Sequence, residues 1–154
     1  MNRLVFEPKL CVGCFACEVA CKGEYQLPPG IRWIQVEKGA EIPNEGTPWI
    51  PLNLKVCQHC AFPPCVSVCP AGAIEQIKDG LILLNEEKCN GCQKCLEACP
   101  FGAIAFDPSR QMASKCNLCI HQASHRCVTY CPSGALTFAA TSDSGPAPRI
   151  GKSE

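Results

Sequence analysis

Cysteine is the residue through which this chain can do chemistry, and its 16 cysteines fall into four groups of four. Cys89, Cys92, Cys95 and Cys99 lie in CNGCQKCLEACP, spaced C-x2-C-x2-C-x3-C and followed at once by Pro100. Cys11, Cys14, Cys17 and Cys21 repeat that spacing, with Lys22 in place of the proline. Cys57, Cys60, Cys65 and Cys69, then Cys116, Cys119, Cys127 and Cys131, are expanded versions with longer middle gaps, ending in Pro70 and Pro132. A tight loop can bring three thiolates to three iron corners of a 4Fe–4S cluster. The fourth cysteine starts a segment leading away, because proline has no amide N–H and resists helix continuation. In two-cluster proteins that fourth cysteine serves the other cluster. Four complete groups predict four 4Fe–4S clusters with no thiol left over.

Other uses of the cysteines fit less well. Zinc sites usually join two separated C-x2-C pairs into a tetrahedron, and the run at 89–99 does not divide that way. A disulfide framework belongs to oxidising compartments. The N-terminus MNRLVFEPKLC has no apolar h-region, twin arginine or cleavage site, and no apolar run reaches membrane-spanning length. A cytoplasmic, reducing location is therefore expected. His59, His121 and His125 are expected at the surface or beside clusters, since the cysteines already complete the ligand sets. Lys22, Lys55, Lys88, Lys94 and Lys115 lie close in sequence to cluster cysteines. A cation there would favour a reduced cluster, although most of these ammonium groups are expected to be solvated.

No GxGxxG fingerprint or P-loop is present. Nor is there a C-x3-C-x2-C run that would leave an iron open, because position 24 is Glu24 and positions 72, 102 and 134 are Gly72, Gly102 and Gly134. No catalytic residue is assigned. The chain is expected to move electrons without transforming a substrate.

The elements that must position these groups are short. Residues 3–7 read as a strand entering the first group, where Gly13 matches Gly91 of the third; glycine there allows close approach or a positive φ. Strands are expected at 31–37 and 49–56, the latter an edge strand bearing Pro51, with a loop at 38–48 between them. Trp33 and Trp49 would cover a cluster or anchor a partner. Asp79-Gly80 signals a hairpin between AIEQIK and LILLN. FGAIAF is a further strand, DPSRQ a turn, and SGALTFAA the last strand. The segments at 70–74, 100–104 and 132–136 share P-x-G-A-[IL], so group, turn and strand form a repeated unit. Residues 141–154 read as a flexible tail.

Net charge is zero and charged residues make up 18% of the chain, below the roughly 25% usual for soluble domains. No basic stripe suits nucleic acid. Weak charge steering favours a permanently bound subunit over a free carrier.

The four groups resemble the four-cluster iron–sulfur subunits of the DMSO-reductase type, which partner molybdenum or tungsten pterin oxidoreductases, hydrogenases and carbon monoxide dehydrogenase. The resemblance covers roughly 3–138, and CVGCFACEVACK, lysine included, is what the family's first group looks like. It implies four clusters held by Cys57, Cys60, Cys65 and Cys99; by Cys89, Cys92, Cys95 and Cys69; by Cys11, Cys14, Cys17 and Cys131; and by Cys116, Cys119, Cys127 and Cys21. Spacing alone leaves that pairing open. The implied fold is α+β, with two pseudo-duplicated, ferredoxin-like two-cluster modules. One comprises 57–104, the other 1–30 with 105–140, and 31–56 is an insertion with strands. In size the chain is most similar to the small polyferredoxin subunit of tungsten aldehyde oxidoreductases. That resemblance implies a larger catalytic partner and a flavin/NAD subunit; separately, a wire with clusters near both ends could stack head-to-tail on further copies of the chain. A free polyferredoxin shuttle, or a subunit of a formate dehydrogenase, hydrogenase or CO dehydrogenase, is the alternative.

Overall fold

The described strands are short, and most are bounded by a cysteine group or a proline-bearing turn. The structure is a computed structural model and describes residues 2–43, 46, 49–77 and 80–140. β1 (Asn2–Phe6) runs through a 3-10 turn at Pro8–Leu10 into α1 (Ala16–Glu24). β2 (Ile34–Lys38) and β3 (Leu52–Val56) precede α2 (Pro64–Ser67). β4 (Ile74–Gln76) and β5 (Ile82–Leu84) lead to α3 (Lys94–Ala98). β6 (Ile104–Asp107) and β7 (Met112–Lys115) lead to α4 (Arg126–Thr129) and β8 (Leu136–Ala140). The architecture is α+β, as expected. Asp79 and residues 141–154 lie outside the described residues, so the tail expectation does too.

The strands form four two-stranded sheets. Three are hairpins between sequence neighbours: β2 with β3, β4 with β5, and β6 with β7. The fourth joins the two ends of the described residues, with β1 antiparallel to β8 and Leu4 opposite Phe138. The Glu7 N–H extends this ladder by donating to the Ala135 carbonyl at 2.9 Å. β7 is the strand that the sequence pattern does not signal. The Asp107 carboxylate accepts from the Ser109 N–H at 2.9 Å, the Ser109 hydroxyl at 2.6 Å and the Arg110 N–H at 3.2 Å. This Asx-type turn folds DPSRQ tightly enough for β7 to return along β6.

Two apolar cores follow from this topology. One gathers Leu4, Ile34, Leu54, Val56, Leu81, Leu118 and Leu136 around Cys17, Cys21, Cys116 and Cys127. The other gathers Ile74, Ile82, Ile104 and Ala113 around Cys65 and Cys95. Ile34, Val56 and Ile82 are the largest fully buried side chains, each contributing about 1.5–3 kcal/mol relative to exposure. The hairpin from 31–56 packs into the first core. β7 serves both, with Ala113 in the second core and Cys116 just beyond it in the first.

The helices pack in pairs, α1 on α4 and α2 on α3. Lys22 and Pro100 account for the different lengths of α1 and α3. Pro100 follows Cys99 and α3 stops at Ala98, whereas α1 runs on to Glu24. Lys22 also ties the following loop, its ammonium donating to the Pro28 carbonyl at 2.9 Å and the Ile31 carbonyl at 3.3 Å. It is therefore not simply solvated. Glu18 holds β2 to α1 by accepting the Val36 N–H at 2.6 Å.

Candidate metal centres

The backbone around the cysteines carries the repeat that the spacing suggests. In the short groups φ is positive at Gly13 and Phe15, and again at Gly91 and Gln93. In the expanded groups it is positive at His59, just before Cys60, and at the consecutive pair Leu118 and Cys119, so strict alternation belongs to the short groups. Alternating left-handed and ordinary residues aim successive N–H groups to one side, the concavity that binds anions and many Fe–S centres. The close-approach expectation holds most strictly at Gly91, where a Cβ would collide with the Gln111 carbonyl oxygen.

The P-x-G-A-[IL] turns have a separate role. Gly72, Gly102 and Gly134 all have positive φ, which turns the next amide back on the preceding cysteine. The Ala73 N–H donates to Cys69 Sγ at 3.3 Å, and the Ala103 N–H donates to Cys99 Sγ at 3.4 Å. Burial pushes the Cys69 thiol up, but the N–H groups of Ile74, Ala73, Ala71 and Gly72 outweigh it and hold the thiol below its ordinary range. Cys131 behaves alike: burial opposes, while Leu136, Ser133 and Ala135 bring it down.

Cysteines from different groups meet. One pocket is lined by Cys69, Cys89, Cys92 and Cys95. A second is lined by Cys21, Cys116, Cys119 and Cys127, together with Tyr25, Trp33 and His125. Burial raises the Cys60 and Cys65 thiols, with Cys57 and Cys99 as like-charge neighbours of both. Cys11 and Cys17 lie together within the first group, and Cys131 sits in its own turn. Burial lifts Cys17 to about 11 with Cys11 beside it, and Cys131 faces the Ser133 hydroxyl at 3.8 Å.

These donor sets suit a cationic, many-atom group. Burial and neighbouring cysteines lift Cys95 to about 11 and Cys127 to about 12, so four thiolates together require compensating positive charge. A bound metal supplies it and deprotonates the thiols outright. Among the described residues no three Cys, His, Asp or Glu side chains converge closely enough for a single ion; a zinc tetrahedron needs Zn–S near 2.3 Å. The Tyr25 hydroxyl and His59 Nε2 are buried without a protein partner, two donors that sulfur could accept. The residues fit 4Fe–4S clusters.

The other predicted neighbours separate clearly. Trp33 covers the second cavity, its indole N–H donating to the Ser114 hydroxyl at 2.6 Å, while Trp49 is largely exposed. His125 stacks on Phe138 with ring centroids 3.7 Å apart, and His121 lines a separate cleft with Trp33 and Ser114. Lys115 departs most from expectation: it is buried, 3% exposed, because β7 carries it between the two cores. Its ammonium donates to the Ile82 and Cys116 carbonyls. His59 is buried too, its Nδ1 accepting the Ile82 N–H at 2.9 Å. Burial, then Lys115, pushes its imidazole down to about 3. Only the β6–β7 turn could have signalled Lys115, by making 112–115 a strand.

Thiolate loops of this kind, without a substrate-transforming residue among them, define an iron–sulfur electron-transfer protein. Residues 50–141 match the family model described as a 4Fe-4S dicluster domain. The chain therefore belongs to that family. It is 37% identical to the B component of the polysulfide reductase of Wolinella succinogenes over 146 residues, 91% of this chain and 76% of that protein. It is 36% identical to the thiosulfate reductase electron transfer subunit PhsB of Salmonella typhi over 141 residues, 88% of this chain and 73% of that protein. The B component of the tetrathionate reductase of Archaeoglobus fulgidus is 38% identical over 122 residues, 79% of this chain and 56% of that protein. The expected likeness to a tungsten aldehyde oxidoreductase subunit finds no support in these relatives, which are reductase subunits. That preference rests on size, and the cysteine groups do not distinguish catalytic partners. No described helix is long and apolar enough to cross a membrane.

Proposed function

We propose that this chain is the electron-relay subunit of a respiratory-type reductase, carrying four 4Fe–4S clusters in two ferredoxin-like modules. Cys57, Cys60, Cys65 and Cys99 hold one cluster, and Cys89, Cys92, Cys95 and Cys69 the next. Cys11, Cys14, Cys17 and Cys131 hold a third, and Cys116, Cys119, Cys127 and Cys21 the fourth. The observation that carries this reading is the cavity in which Cys69 of group two joins three cysteines of group three; the cavity joining Cys21 to group four is its counterpart. The modules are 57–104 and the two chain ends, 1–30 with 105–140.

Each cluster supplies a one-electron store. The protein does the rest: its thiolates fix the position, the N–H groups at Cys69 and Cys99 stabilise negative charge on sulfur, and Trp33 excludes water. The partner is a larger molybdenum pterin subunit that reduces a sulfur compound, such as the polysulfide, thiosulfate or tetrathionate named for the relatives. Exposed apolar side chains support stable docking. Phe62 in the second group's loop is 93% exposed, and Val12 and Phe15 in the first group's loop are also exposed. Anaerobic purification of the tagged chain from its host tests this. A stoichiometric larger chain with molybdenum, reducing one of these compounds, is expected; elution of the chain alone would favour a free shuttle.

A further inference from the structure

Lys115 is the one charged side chain that β7 delivers into the seam between the two cores. A buried ammonium needs negative charge or many hydrogen bonds nearby. None of the ion pairs among the described residues includes it. Two carbonyls hold it instead, those of Ile82 and Cys116, the latter at 2.7 Å. Ile82 acts as a clamp, because its N–H also fixes His59 Nδ1 at 2.9 Å. The imidazole proton therefore rests on Nε2, which is buried and unpartnered in the protein.

The hydrogen bonds of Lys115 reach toward two different ligand sets. Its ammonium bonds the Cys116 carbonyl of one set directly, and the Ile82 that takes its other bond fixes His59, the residue before Cys60 of the other set. Cys57 packs against the core that contains Cys116, so the two sets approach one another at this seam. A cluster gains negative charge on reduction, and nearby charge is one of the factors that set its potential.

We propose that Lys115 is a positioning residue for electron flow between the modules. Its fixed cation serves two clusters at once, those of Cys57, Cys60, Cys65, Cys99 and of Cys21, Cys116, Cys119, Cys127, and favours the reduced state of both. Lys115 itself exchanges neither electron nor proton. The inference rests on the ligand sets proposed above.

The test is a potentiometric titration of the full chain in its complex, followed by electron paramagnetic resonance, with iron counted in every sample. Lys115→Gln keeps a hydrogen-bond donor and removes the charge. With full iron, two of the four reduction equilibria should weaken about tenfold, about 59 mV for one electron, while the other two stay put. Lys115→Arg should restore them. Unchanged potentials in the Gln variant, or four equal shifts, would overturn the proposal, as would iron loss in both variants. Should Gln alone lose iron, the wild type decides. Cys60→Ser and Cys119→Ser should then perturb the two highest-potential signals, and perturbation of the two lowest overturns the proposal. A single signal altered by both serine variants would break the ligand sets themselves, and the proposal with them.

Discussion

The Nε of Arg126 donates to the Glu24 carboxylate at 2.6 Å, joining the end of α1 to the start of α4 across 102 residues of sequence. Both side chains are partly buried, so this contact does more than an exposed ion pair. It closes the two chain ends on each other beside Cys21 and Cys127, where β1 and β8 also pair.

Removing either partner should loosen this closure by about 1 kcal/mol, the upper end for partly screened pairs. A loss of that size is a factor of about 5 in an equilibrium. Anaerobic bleaching of cluster absorbance in denaturant should therefore run about fivefold faster in Glu24→Gln or Arg126→Met. The double variant should be no faster than either single one.

Gly91 and Gly13 occupy matching positions with φ of +71° and +65°, yet they should respond differently to alanine. Each substitution carries the left-handed penalty of about 1–2 kcal/mol. A Cβ on Gly91 also meets the rigid Gln111 carbonyl, whereas one on Gly13 meets the flexible Leu52 Cδ1 at 3.2 Å. Iron analysis should find about 4 atoms per chain missing, one 4Fe–4S cluster, in Gly91→Ala. Gly13→Ala should retain its full complement.

Trp33 and Trp49 should separate by oxygen sensitivity. Trp33 lines the cavity of Cys21, Cys116, Cys119 and Cys127, so Trp33→Ala admits water and oxygen and should hasten cluster loss in air. Trp49 lies in the exposed Ile42–Trp49 bridge, and Trp49→Ala should bleach at the wild-type rate.

The β6–β7 turn gives a pH prediction. The Ser109 hydroxyl, opposed by burial and helped by the Arg110 and Ser109 N–H groups, holds the Asp107 carboxyl below its ordinary 3.8. A carboxyl depressed on folding contributes stability above its unfolded pKa and loses it as pH falls through the folded one. Asp107→Ala should therefore speed hydrogen exchange across 105–115 at pH 7 relative to wild type. The difference should start to shrink as pH falls past 3.8 and close only below the depressed folded value, and a constant difference would mean the charge plays no part.

The cysteine groups and most strands were legible because their signals are local. Spacing marks the loops, and the P-x-G-A-[IL] turns mark where β4, β6 and β8 begin. β7 was not legible, since MASK has no alternating pattern of its own and becomes a strand only through the Asp107 turn and its pairing with β6. The burial of Lys115 was hidden for the same reason. Its sequence neighbourhood resembles that of the other lysines, and only the return of β7 between the cores takes it from water. Lys22 was half legible: its replacement of proline was plain, but its hold on Pro28 and Ile31 depends on a loop the sequence does not specify. The meeting of Cys21 with group four depends on β1 pairing with β8, a contact between the two ends of the described chain.

Four clusters on one chain is the central claim, and counting iron and acid-labile sulfide in anaerobically isolated protein tests it most directly. The account predicts about 16 iron atoms per chain, four for each of four 4Fe–4S clusters. About 8 iron atoms, or zinc in place of iron, would contradict it.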